Sequence, residues 1–336
     1  MASIAIIGAG LAGISAARLL TDQGHAVSLF DKSRSVGGRL ATRRADPYRF
    51  DHGAQFFTAR SREFQEFLKP FLDQGHVAPW HPQLAQLSTN GANRTSPWPD
   101  TDPHYVGTPT MNAFAKACAK DIPTHLNTGI SSLRRSSNAW WLADLDGHEH
   151  GPFQWVLMTM PAPQTQALLP ESAAFYRPVR SCTMTGCFAL MLAFEHRLNL
   201  GFDAAHVDHF AVRWIAANHT KPERAPYFSL VIHSTHEWAE THMETPSDQV
   251  MKALLDHASG ILNQDLSQSI HQSMHRWRYA IGTQASESGY WIDPKQQLGA
   301  AGDWCNEGRV EGAFLSGTGL ATAVGRRLAQ TNRVIQ

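Results

Sequence analysis

Residues 3–23, SIAIIGAGLAGISAARLLTDQ, decide the fold: an apolar run, a glycine-rich turn and a helix-forming stretch follow one another without interruption. Ser3 to Ile7 reads as a buried strand and Leu11 to Gln23 as the helix after it. Between them Gly8 permits a tight turn, Gly10 lets backbone approach a pyrophosphate, and Gly13 lets the helix close on the strand. The unpaired amides at the helix start then face the phosphates. His25 to Phe30 reads as a second strand ending in Asp31, about 20 residues on, where an acidic side chain meets ribose hydroxyls. The stretch predicts a dinucleotide-binding βαβ unit.

Later stretches narrow the ligand. Gly37-Gly38-Arg39 lies just beyond Asp31; neighbouring glycines let the chain pass close to a pyrophosphate, and Arg39 offers it a fixed charge. Arg49 to Phe57 then reads RFDHGAQFF, and near the other end Ala301 to Ala313 reads AGDWCNEGRVEGA. A nicotinamide-binding Rossmann domain has no such duty for these segments, so the pattern predicts FAD. Gly312 to Gln330, rich in small residues, predicts a helix whose N-terminus aims its positive dipole at the flavin's pyrimidine edge, favouring an anionic reduced flavin.

With these motifs in view, the chain resembles the flavin amine oxidase superfamily and, within it, the renalases. The resemblance rests on GAGLAG at 8–13, Asp31, GGR at 37–39, DHGAQFFT at 51–58, VLMTMPAPQ at 156–164, SLVIHST at 229–235, RWRYA at 276–280 and AGD at 301–303, in the family's order from end to end. It implies non-covalent FAD held by Gly8, Gly10, Leu11, Ala12, Gly13, Asp31, Lys32, Gly38, Arg39, Ala54, Gln55, Phe56, Ile130, Asp303, Arg309, Val310 and Gly312. In that scheme the Ile130 backbone meets the adenine, Asp303 bonds the ribityl chain, and residues 309–313 pass the flavin ring. NEGRVEGA at 306–313 is closer to bacterial members than to animal ones, and His52 and Arg309 depart from close variants. Cys305 does not stand where some family members attach flavin covalently.

A flavin takes hydride from a carbon held over its face, so the protein chiefly positions substrate and no obligatory catalytic base is required. No catalytic side chain is assigned. By the resemblance, the substrates are 2-dihydro and 6-dihydro isomers of β-NAD(P), released as β-NAD(P)+ with O2 reduced to H2O2. A planar nicotinamide suits an apolar pocket roofed by an aromatic. The expected walls are Thr185, Trp214, His233, Trp277 and Tyr279, with Phe57, Thr58 and Arg60 at the entrance. Amine oxidation matches less well, because Lys252 and Lys295 lack the surroundings of the superfamily's flavin-side lysine. A flavin amine oxidase or desaturase acting on another small molecule is the alternative. A non-catalytic flavin-binding module is a second one, which the large substrate region disfavours.

At 336 residues the chain exceeds a usual single core. Because Gly8 and Asp303 must reach one FAD, the expected fold class is α/β. A discontinuous Rossmann-type FAD-binding domain (1–75, 105–161 and 276–336) carries an inserted α+β substrate domain (76–104 and 162–275), amine-oxidase-like in plan. Helices are expected at 61–74, 110–120 and 246–263, a meander at 125–145, strands at 155–159, 181–194, 210–217 and 225–234, and a rigid loop at 95–103.

Twenty-nine basic and 29 acidic residues, without a long run of either sign, give no footprint for nucleic acid or an anionic membrane. No apolar run is long enough to span a bilayer, and the first apolar residues belong to a strand, not a leader. Four cysteines without paired spacing point to a reducing, cytoplasmic setting. The histidines form no metal-ligand set: His271 and His275 sit in strand-like surroundings, and His206/His209 and His233/His236 want a third ligand.

Overall fold

The structure, a computed structural model, describes residues 1–88, 94–98, 103–282, 286–306 and 308–334. Short apolar runs from distant parts of the chain assemble a six-stranded sheet in the order Thr124–His125, Ala26–Phe30, Ser3–Ile7, Trp155–Met158, Leu298–Ala300, Trp291–Asp293. Every neighbouring pair is parallel except the last. Strands covered on both faces need continuous apolar side chains, and Ser3–Ile7 and Trp155–Met158 supply them. Helix Leu11–Asp22 packs against the C-terminal helix Val310–Val334, and the contact is closest where Gly317 meets Ala12; a β-carbon on Gly317 would overlap the Ala12 carbonyl. That last helix opens at Val310, so Gly312, expected to begin it, lies in its first turn. Helix Arg62–Asp73 is capped by the Ser61 hydroxyl, which accepts from Phe64 N–H. The meander is a three-stranded antiparallel sheet, Ile130–Ser136, Ala139–Asp144 and Glu149–Phe153.

The second large sheet has seven strands in the order His271–Gly282, Met184–Ala193, Ser229–Ser234, Val212–Ala217, Ala204–Asp208, Gln83–Ser88, Arg94–Pro97. Its side chains alternate with period two. Phe188, Leu190, Leu192, Ile232 and Ile215 form a core with Val250 and Leu254 of helix Ser247–Leu262. Met191 and Val231, on the opposite face, pack on Phe50. Register places His275, Ala189, His233, Trp214 and His206 in one row across that face.

Two expectations need correction. The strand expected from 181 begins at Met184, because Tyr176–Ser181 closes a short helix first. Within the loop expected at 95–103, Arg94–Pro97 is an edge strand on Gln83–Ser88, while 99–102 lie outside the described residues. Strand His271–Gly282 runs through position 276 and is laddered to Met184–Ala193 over most of its length. Among the described residues, no helix is long and apolar enough to cross a membrane.

Candidate functional site

The parallel strands end on one edge of the first sheet, the edge at which open α/β sheets bind ligands. Gly8 turns the chain there with φ +108°, and its N–H donates to the Phe30 carbonyl at 2.7 Å. A β-carbon on Gly13 would overlap the Gly8 carbonyl, whereas one on Gly10 would meet no protein atom within 4 Å. Gly8 and Gly13 are therefore consumed by packing, and Gly10 faces open space. Gly37 N–H donates to the Ala9 carbonyl at 2.7 Å, and Gly38, φ +53°, lies beside Gly10. Two bare-backbone turns thus form a cradle before Leu11 and Ala12, the first residues of the helix. The cradle fits a dinucleotide pyrophosphate. The Asp31 carboxylate accepts from Ala9 and Ser33 N–H, each at 2.7 Å, so it is held at the rim with acceptor capacity remaining. Lys32 adjoins Gly129, and Ile130 pairs with Asp144 at the meander's base.

Arg39, expected at the pyrophosphate, has protein partners as well. Its guanidinium forks onto both carboxylate oxygens of Asp303, Nη1 to Oδ2 at 2.7 Å, and also donates to the Ala280 carbonyl at 2.8 Å. The Arg39 carbonyl accepts from Ala54 N–H at 2.9 Å and fills the space of a Gly53 side chain. This fixes the segment 52–56. From above, the His52 carbonyl accepts from Trp277 Nε1 at 2.8 Å, with His233 Nε2 at 3.3 Å. Trp277 and His233, expected as substrate walls, spend their polar atoms on this backbone.

The remaining expected residues are dispersed. Trp214 is buried with its ring 5.5 Å from Phe56 and 4.8 Å from His206, and its indole N–H has no partner among the described residues. Trp98 joins them, 4.6 Å from Phe56 and stacked on His104. Thr185, its hydroxyl buried and without a partner among the described residues, sits at a bulge four residues before Ala189 and two strands from Trp214. Tyr279 lies on the same edge strand as Trp277. Phe57 is core, stacked on Phe114, and Thr58 pairs with His104. Arg60 and Ser61 N–H donate to the Glu311 carboxylate. That carboxylate is buried in the first turn of the C-terminal helix, where it offsets the dipole expected to act on the flavin; Arg309 and Val310 flank it.

Sequence reasoning missed Lys221. Its side chain is fully buried, with Nζ 3.1 Å from Asn218 Oδ1, 3.3 Å from Gln55 Oε1 and 3.4 Å from Asp51 Oδ2. Arg224, equally enclosed, donates to the same Asp51 oxygen at 2.6 Å. The other Asp51 oxygen accepts from Thr42 Oγ1 and Met111 N–H. Burial alone would raise the Asp51 carboxyl, but Lys221 and Arg224 outweigh it and hold it well below the carboxylate range. Burial pulls Lys221 down to about 8 against the pull of Asp51. Burial also keeps three imidazoles neutral: His52 at about 4, further lowered by His275; His233 at about 3, with Arg213; and His275 at about 4, with Arg43. A lysine spaced as in NHTKPER carries no sign of burial, which explains the omission.

Comparison with known proteins agrees with this geometry. Residues 6–71 match the NAD(P)-binding Rossmann-like domain, and residues 99–325 match the flavin containing amine oxidoreductases. The 4,4'-diapophytoene desaturase of Staphylococcus aureus strain Newman is 34% identical over 76 residues, covering 20% of this chain but only 15% of the desaturase. Among solved structures, the provisionally named protoporphyrinogen oxidase of Exiguobacterium sp. 255-15 superposes with TM-score 0.76 at 12% identity over 96% of this chain and 98% of that one. Putrescine oxidase bound to putrescine gives 0.72 at 12% identity, over 96% and 98%. At such identity the likeness concerns the fold.

Proposed function

The chain belongs to the flavin containing amine oxidoreductases, and from that premise we propose an FAD-dependent oxidase of renalase type, oxidising 2-dihydro and 6-dihydro isomers of β-NAD(P) to β-NAD(P)+ with O2 reduced to H2O2. Bound FAD supplies the hydride acceptor and the route of electrons to oxygen. Gly10 and Gly38 would face its pyrophosphate, with Gly8 and Gly13 shaping the turn that presents them, while Asp31 would hold its ribose and Asp303 with residues 309–312 its ribityl and ring end. We take attachment as non-covalent, in keeping with a buried Cys305, whose thiol is pushed well up by burial, away from the nucleophilic thiolate. The substrate domain includes the whole of strand His271–Gly282.

The observation that carries the substrate reading is the chemistry around segment 52–56. Phe56 and Trp98 offer aromatic surface backed by the buried Trp214, the imidazoles are neutral, and Asp51 is already taken by two cations. An amine arrives as a cation and gains nothing from that charge balance, whereas an uncharged dihydronicotinamide ring stacks without penalty and brings anionic phosphates. The desaturase match and the putrescine oxidase likeness favour a second reading, an amine oxidase or desaturase on another small molecule. Anaerobic mixing decides between them. Borohydride-treated NAD+, which contains both isomers, bleaches the flavin within seconds while putrescine does not; bleaching by the amine alone overturns the first reading.

A further inference from the structure

Asp51, Lys221 and Arg224 form a buried cluster with two positive charges and one negative, a net charge of +1. A buried unbalanced charge is costly unless something of opposite sign is brought to it. Among the described residues, Asp51 is the carboxylate that pairs with Lys221 and Arg224; Asp303 is paired with Arg39, Glu311 accepts from the backbone N–H groups of Arg60 and Ser61, and Arg43 beside His275 adds positive charge. The histidines of the roof stay neutral. The excess charge touches segment 52–56 directly, since Lys221 Nζ meets Gln55 Oε1 at 3.3 Å, while Gln55 Nε2 donates back to the Asp51 carbonyl. Lys221 thus reaches down from the roof onto the stretch assigned to the cofactor.

We propose that this cluster, rather than the C-terminal helix dipole, is the source of positive potential that favours the reduced, negatively charged form of the bound flavin, and that Lys221 is its contact with the flavin segment. The inference rests on the flavin reading of the site but not on the identity of the substrate. Its physical basis is that a fixed charge in a water-poor site acts more strongly than one in solvent, and a potential shift follows the sign of the charge that is changed.

The test is the flavin reduction potential of the purified yellow protein, measured by equilibration with a reference dye. Lys221→Met and Arg224→Met each leave a neutral pair and should shift the potential downward. Lys221→Arg keeps the charge and should leave it near the parent value, and Asp51→Asn should shift it upward. Arg224→Met retains the Asp51–Lys221 pair and so keeps the test standing where Lys221→Met does not fold. Shifts of opposite sign cannot come from a loosened site alone. Unmoved potentials in yellow variants, or movement of all variants in one direction, would overturn the proposal while leaving the flavin reading intact. A parent protein that takes up no FAD would overturn both.

Discussion

Arg39 and Asp303, 264 residues apart in sequence, meet as a two-pronged ion pair that joins the second glycine turn to the segment leading into the C-terminal helix. The Asp303 side chain is 6% exposed, so its charge depends on Arg39 for compensation. Removing one partner of such a pair strands the other. Arg39→Met should therefore cost on the order of 3 kcal/mol of apoprotein stability, and Arg39→Met with Asp303→Leu should recover most of it. Urea unfolding of the singles and the double decides; an additive double would show that the two groups act independently.

The cradle makes a contrasting pair of variants. A β-carbon at Gly10 meets no protein atom within 4 Å, and its backbone, φ −74°, suits any residue. Gly10→Val should fold at a cost of about 1 kcal/mol, from poorer capping, yet stay colourless. Gly13→Ala drives a methyl into the Gly8 carbonyl and should destabilise the fold itself. A yellow Gly10→Val protein would remove the pyrophosphate from this place.

Trp277→Phe deletes the indole donor to the His52 carbonyl while keeping the ring. The lost hydrogen bond, about 1 kcal/mol, sets a ceiling of roughly fivefold on the rise in Kd for FAD, reached when the segment is ordered only with FAD bound. Fluorescence titration of apoprotein measures it, and an unchanged Kd would show that segment 52–56 needs no anchor from the roof.

Acid should destabilise the protein through its buried histidines. His52, His233 and His275 have folded values of about 4, 3 and 4 against an ordinary 6.5, so between those limits the unfolded chain binds more protons. Their contribution is complete above pH 6.5 and is lost as pH falls toward 4. Each titrating group contributes up to about 1.4 kcal/mol per pH unit, less for the more exposed His275 and for the mutually repelling His52–His275 pair. Apoprotein at pH 5 should be about 3 kcal/mol less stable to urea than at pH 7.5. Equal stabilities would mean that these imidazoles are solvated.

The Rossmann core was legible because its determinants are local: Gly8, Gly10 and Gly13 act within one turn, and the apolar run 3–7 needs only to be buried on both faces. The inserted sheet was legible as strands but not as a surface. The row His275, Ala189, His233, Trp214 and His206 arises from five strands set side by side, and no spacing along the chain encodes that register. Long-range pairing explains the rest: the Arg39–Asp303 pair, the Trp277 and His233 bonds to the His52 carbonyl, and the burial of Lys221 by a loop that reads as ordinary polar surface all join segments far apart in sequence.

The central claim is that both ends of the chain enclose one intact, dissociable FAD. Purified protein should be yellow, and heating it, removing the precipitate and chromatographing the supernatant should recover unmodified FAD at one equivalent per chain. A colourless protein that takes up no added FAD, or a flavin that stays with the denatured polypeptide, would contradict it.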